Sequence, residues 1–211
     1  MSTELIKRIL SSILLIPISF FLIIEGSVFF IIFISICFFI SIYEWNNMSK
    51  KKKYKKFGFV FLIFSFLSIY NLRINANEDY TFFLLIVIIC ISTDIGGYVF
   101  GKLFKGPKLT IYSPNKTYAG MLGSFIFSIL FMFIFINFYE VPEFSIKLTI
   151  FILMISFISQ LGDIIISYFK RLSKIKDTGN IIPGHGGLLD RIDGMLFVFP
   201  FTNLIILLNL F

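Results

Sequence analysis

The sequence predicts an all-α, polytopic integral membrane protein with about seven transmembrane helices, and three observations carry that expectation. Its 211 residues are 57% hydrophobic and include 30 Phe, with a mean hydropathy of +0.93. A water-soluble domain of this size could not bury so much apolar surface. The apolar residues fall in runs of roughly 15 to 22, the length a helix needs to cross a hydrocarbon core about 30 Å thick. Stretches such as Phe29 to Ile34 and Phe82 to Ile89 are apolar on every side. They lack the period-2 alternation of a barrel strand, which leaves helices as the spanning structure.

The run from Ile9 to Tyr43 is too long for one crossing, and Glu25-Gly26 in its middle suits a turn better than a bilayer centre, so two spans are expected there. Five more are expected at Phe57 to Leu72, Phe82 to Phe100, Tyr118 to Phe138, Leu148 to Phe169 and Ile192 to Phe211. Lys7 and Arg8 before the first run resemble a signal peptide, but Glu4 and the lack of a small-residue cleavage site favour an uncleaved span. Residues 1–80 then form an N-terminal scaffold of about three spans. Residues 81–211 hold the polar chemistry, with loops at 101–117 and 170–191.

Seven spans can be set against the positive-inside bias. With the N-terminus inside, 17 of the 19 basic residues fall on the inner side, leaving Arg73 and Lys147 outside with Glu25, Glu78, Asp79, Glu140 and Glu143. The expected topology is N-inside and C-outside, with both polar loops cytoplasmic. This asymmetry accounts for the net charge of +7 without a nucleic-acid partner. The run Lys50 to Lys56 reads as a topology anchor; a second reading is attraction to anionic lipid headgroups. Cys37 and Cys90 lie inside apolar runs and imply neither a disulfide nor a zinc site.

An acidic residue within a span is expensive, which makes it a functional candidate. Two are expected, Asp94 in the fourth span and Asp163 in the sixth, both toward the inner ends. Beside them, loop 101–117 offers Lys102, Lys105, Lys108, Ser113, Lys116 and Thr117, donors suited to phosphate. Loop 170–191 is richer, mixing cations, carboxylates, glycines and the one histidine. Asp190 and Asp193 are three apart, so on a helix they share a face and can present two carboxylates to a hard divalent cation, with Asp163 able to complete the set. Three glycines around His185 let the backbone approach a ligand closely and aim N–H groups at an anion.

Ser167, Lys170-Arg171, Lys176-Asp177, Gly179, Pro183, His185-Gly186-Gly187, Asp190-Arg191 and Asp193 resemble, position by position across 27 residues, the signature of phosphatidate cytidylyltransferases. Upstream, Asp94 to Gly101 and Ser113 to Gly120 look like the same family's earlier polar motif, departing at Ala119, where Glu is usual, and at Gly97, where Ala is usual. About the last 120 residues are covered.

The resemblance implies transfer of a cytidylyl group from CTP to phosphatidic acid, dependent on Mg2+ and with a second cation in view. It implies Asp163, Asp190 and Asp193 as metal ligands. Lys170, Arg171, Lys176 and Arg191 would then serve the triphosphate and the leaving pyrophosphate. Ser113, Lys116 and Thr117 would hold one substrate's phosphate, with Ser167, Gly186 and Gly187 also at the substrates. His185 would orient a phosphate, and Asp94 and Asp177 would position cations or basic side chains. Members of the family are often dimeric, so a homodimer belongs to the same expectation. For compartment, a bacterial cytoplasmic membrane is the simplest expectation, with an organelle membrane as the alternative. The competing reading is an ion-coupled transporter using Asp94 and Asp163, which needs carboxylates near the span centres.

Overall fold

A computed structural model describes residues 3–74, 80–139 and 145–209. Seven α-helices follow one another: α1 (Thr3–Glu25), α2 (Ser27–Met48), α3 (Lys55–Ile74), α4 (Thr81–Phe104), α5 (Tyr118–Tyr139), α6 (Ile146–Leu172) and α7 (Leu189–Leu207). No strand occurs among the described residues; two isolated bridges, Lys108 with Thr117 and Ile182 with Gly186, are the only extended pairings there. The fold is therefore an all-α membrane protein. Helices α1 to α6 are each long and apolar enough to cross a bilayer. Helix α7 carries Asp190, Arg191 and Asp193 in its first turn or so, and its apolar part from Gly194 onward is only about 20 Å long at 1.5 Å per residue. Glu78, Asp79, Glu140 and Glu143, expected on the outer side, lie outside the described residues.

The chain divides into two compact units, 1–80 with 170–192, and 81–169 with 193–211. Residue 80 is thus a boundary, and the polar segment 170–192 groups with the N-terminal helices.

In the first unit, the break between α1 and α2 falls at Gly26, whose φ of +65° suits a residue without a side chain. Arg73, near the end of α3, reaches this turn. Its Nε donates to the Ile23 carbonyl at 2.9 Å and its Nη2 to the Ile24 carbonyl at 3.1 Å, supplying two of the carbonyls that α1 leaves unpaired at its end. Trp45 on α2 donates to the Lys55 carbonyl at 3.0 Å and lies against Gly58, where a Cβ would overlap its ring. The α2–α3 turn is fixed to the end of α6 by Lys52 Nζ on the Leu172 carbonyl at 3.0 Å and by Tyr54 Oη against Ser173 Oγ at 2.6 Å. One lysine of the basic run thus stabilises a helix C-terminus in addition to any lipid role.

In the second unit, α4 and α5 meet along small residues. A Cβ on Gly120 would stand 2.7 Å from the Gly97 carbonyl, and one on Gly123 2.8 Å from the Gly96 carbonyl. Such contact lets backbones approach where lipid offers no hydrophobic drive to associate. Ser124 Oγ donates to the Thr93 carbonyl at 2.7 Å, and Thr93 Oγ1 to Ser156 Oγ at 3.0 Å, joining α5, α4 and α6.

Candidate functional site

The polar residues singled out in the sequence occur in two clusters, one in each unit. In the second unit, α4 runs to Phe104, so the first residues of the expected loop 101–117 are helical. The rest folds back on itself: Leu109 N–H donates to the Lys116 carbonyl at 2.7 Å, and Lys116 N–H to the Ser113 carbonyl at 3.0 Å. Thr117 serves as the N-cap of α5, its hydroxyl accepting the Gly120 N–H at 3.1 Å. Lys116 pairs with Asp163 on α6, and Tyr112 packs edge-on to Tyr168 with centroids 4.8 Å apart. Asp163 also accepts from Ser167 Oγ at 3.3 Å, one helical turn later. Asp94 is exposed on α4, and Asp193 is buried, its Oδ1 accepting the Gly194 N–H at 2.9 Å.

In the first unit, segment 173–188 is organised around Asp190. Its Oδ2 accepts from Thr178 N–H at 2.8 Å, Gly187 N–H at 3.1 Å and Thr178 Oγ1 at 3.0 Å, while Oδ1 pairs with Lys170 Nζ at 2.8 Å. The Gly187 amide, expected to face a substrate anion, thus points at a protein carboxylate. Lys170 is 8% exposed, whereas Arg171, Lys176, Asp177 and Arg191 are solvent-accessible. Arg171 bonds the Ile175 carbonyl at 3.2 Å, and Arg191 bonds the His185 carbonyl through Nε at 3.1 Å and Nη2 at 2.6 Å. Gly184 and Gly186, at φ +75° and +89°, turn the chain so that Ile182 N–H meets the Gly186 carbonyl at 3.0 Å.

His185 contacts α1: Nδ1 lies 2.9 Å from Ser11 Oγ and Nε2 3.3 Å from Ser12 Oγ. Burial, with the nearby charges of Arg191 and Arg8, holds its pKa below the usual imidazole value. Arg8 Nε donates to the Gly184 carbonyl at 2.8 Å. A cavity of about 420 Å³ is lined by Lys7, Arg8, Asp177, Asn180, Ile182, Pro183, Gly184 and Gly186. The start of α1, read in the sequence only for topology, therefore helps build the polar surface.

Sequence reasoning missed Glu44. The sequence places the end of the second span at Tyr43, but α2 continues to Met48 and encloses Glu44 at 1% exposure, a buried acid within a spanning helix in addition to Asp94 and Asp163. Its Oε1 accepts Leu188 N–H at 2.9 Å, and its Oε2 accepts Leu189 N–H at 2.9 Å and Thr178 Oγ1 at 3.0 Å. The only sequence signal was an acid directly following an apolar run.

No group of three or more His, Cys, Asp or Glu able to hold a metal occurs among the described residues. The donor chemistry nevertheless suits Mg2+, which typically takes one or two carboxylates and completes its shell with phosphate oxygens and water. Asp190 has one oxygen fixed by three donors, while the other carries an ammonium. Asp163 likewise carries Lys116. Both carboxylates thus face a positive charge.

The chain matches the model of the cytidylyltransferase family over residues 6–77 and 57–209. It is 38% identical over 146 residues to a phosphatidate cytidylyltransferase of Staphylococcus saprophyticus, a match covering 67% of this chain and 54% of that relative. It is also 38% identical over 146 residues to the protein of that name from Staphylococcus aureus, with the same coverage, and 40% over 119 residues to that of Staphylococcus haemolyticus, covering 54% of this chain and 45% of the relative. The matched stretch is thus about half the length of these relatives.

Proposed function

The chain belongs to the cytidylyltransferase family, and from that premise we propose that it transfers the cytidylyl group of CTP to phosphatidic acid, giving CDP-diacylglycerol and pyrophosphate. The observation that carries this reading is the signature segment 167–193, whose amides, hydroxyl and lysine converge on Asp190. The relatives' names add support. An oxygen of the phosphatidic acid phosphate attacks the α-phosphorus of CTP, the bond from that phosphorus to the bridging oxygen breaks, and pyrophosphate leaves with the electron pair.

Such a transfer depends on placement and charge neutralisation more than on covalent chemistry. Lys170, Arg171, Lys176 and Arg191 are assigned to the triphosphate and the charge developing on pyrophosphate. Ser113 and Lys116 are assigned to one substrate's phosphate. Thr117 contributes there by capping α5, and Ser167, one turn from Asp163, by holding that carboxylate. Asp163, Asp190 and Asp193 would hold Mg2+, which would supply Lewis-acid neutralisation of phosphate oxygens; a second cation belongs to the same proposal. His185, neutral at pH 7 and bonded toward Ser11 and Ser12, supports the 183–187 turn rather than taking a proton. The attacking phosphate oxygen is already largely ionised at that pH, so a base would add little.

The excess of basic residues on the polar loops supports an N-inside orientation, with the loops at the cytoplasmic face of a bacterial membrane. There the diacyl tail stays in lipid while the headgroup meets soluble CTP. No observation favours an ion-coupled transporter.

Purified protein in mixed micelles with phosphatidic acid, CTP and Mg2+ is expected to form CDP-diacylglycerol and pyrophosphate in equal amounts. Folded protein that forms neither with any divalent cation would contradict the proposal.

A further inference from the structure

We propose that Glu44 is a positioning residue: from inside α2 it fixes Thr178 and the first amides of α7, and through them the carboxylate of Asp190. Its effect on turnover rests on the cytidylyl-transfer reading above; the anchoring itself does not.

A carboxylate at 1% exposure is costly unless its oxygens are satisfied. The partners of Glu44 among the described residues are neutral donors, the Leu188 and Leu189 amides and the Thr178 hydroxyl. The two amides are among those a helix leaves unpaired at its start, where aligned peptide dipoles favour negative charge. Helix α7 begins at Leu189, and Leu188 before it has no side-chain oxygen with which to cap. The cap comes instead from a residue 145 positions away in sequence.

The second connection is Thr178. Its hydroxyl oxygen lies 3.0 Å from Glu44 Oε2 and 3.0 Å from Asp190 Oδ2, so its one proton is shared between the two carboxylates and links them. The Thr178 amide donates to the same Asp190 oxygen at 2.8 Å, so any shift of Thr178 away from Glu44 moves two of the three donors that orient Asp190 Oδ2. Two signature glycines carry the imprint of this arrangement. A Cβ on Gly179 would meet Glu44 Oε1 first, at 2.7 Å, and one on Gly187 would overlap the Thr178 hydroxyl first and then stand 2.6 Å from Glu44 Oε2. Gly179 leaves space for the Glu44 carboxylate and Gly187 for the Thr178–Glu44 pair, a requirement independent of any substrate.

Glu44→Gln keeps the size but turns an N–H2 group toward N–H donors, and Thr178→Val removes the bridging hydroxyl while leaving the α7 cap in place. Tyr43→Phe, at an exposed neighbour, is the control. The purified full chain in mixed micelles is measured by amide hydrogen exchange over segment 177–190, and by turnover as a function of CTP and Mg2+.

In Glu44→Gln the Leu188 and Leu189 amides should exchange at least about tenfold faster. In Thr178→Val they should stay slow. Both variants should need several-fold more Mg2+ for half-maximal rate and show lowered kcat, with the KM for phosphatidic acid unchanged. A protein that was merely less well folded would lose active molecules without changing its Mg2+ requirement. Unchanged exchange in Glu44→Gln, or lost turnover at an unchanged Mg2+ requirement, would overturn the proposal. If the parent makes no product, the cytidylyl-transfer reading fails and exchange alone decides the anchor: faster supports it, unchanged overturns it.

Discussion

The two polar segments, 101–117 and 173–188, are both basic and both connect long apolar helices, α4 to α5 and α6 to α7, yet they are built on different principles. The first is mostly exposed and is held by backbone bonds within itself, the Thr117 cap, the Tyr112–Tyr168 ring contact and one partly exposed ion pair, Lys116 with Asp163. The second is organised around two buried or half-buried carboxylates, Glu44 and Asp190, which together accept four backbone N–H bonds and a shared hydroxyl. The contrast separates a loosely held surface from a preorganised one. A rigid donor set costs no reorganisation when charge develops on it.

Substitutions should therefore be far more damaging in the second segment than in the first, and five comparisons test this from the largest effect to the smallest. Asp190→Asn removes the charge that faces Lys170 with both groups mostly buried, and should destabilise by about 3 to 5 kcal/mol in detergent unfolding while abolishing turnover. Gly187→Ala places a methyl against the Thr178 hydroxyl and Glu44 and should cost about 1 to 3 kcal/mol, read in the same unfolding curves. Gly106→Ala, with open space around it but a φ of +101°, should cost only about 1 kcal/mol and leave kcat intact. If these two glycine substitutions cost the same, the contrast between the segments fails.

Lys116→Ala should cost less than about 1 kcal/mol of stability, because the pair is 25% and 27% exposed, and its effect should appear as a raised KM. The smallest effect concerns pH. The pKa of His185 is depressed in the folded state, so this residue contributes stability above its ordinary value of about 6.5, and that stability is lost as pH falls through the lower folded value. Between pH 7 and 5, the parent should lose more unfolding stability than His185→Gln.

Much of the fold was legible in the sequence because lipid leaves few choices. The turn at Glu25-Gly26 is the break between α1 and α2, and each later span has its helix within a few residues of the expected limits. Asp190 and Asp193 stand three apart on one helix as their spacing required. What the sequence concealed depends on contacts between distant residues. Glu44 followed an apolar run and preceded Asn46 and Asn47, so it read as the polar end of a span; only its bonds to Thr178, Leu188 and Leu189 reveal a buried charge. Thr117, expected at a substrate phosphate, also caps α5, a role residue type alone does not reveal. The glycines beside His185 were read as room for a ligand, but Gly187 also makes room for Glu44.

The most direct test of cytidylyl transfer uses CTP labelled at the α- or the γ-phosphorus, with the parent and with Asp193→Asn at equal folded concentration. The account predicts that the parent moves the α-label into lipid and the γ-label into pyrophosphate, and that Asp193→Asn moves neither. Label that stays in CTP with the parent, or transfer undiminished in Asp193→Asn, would contradict it.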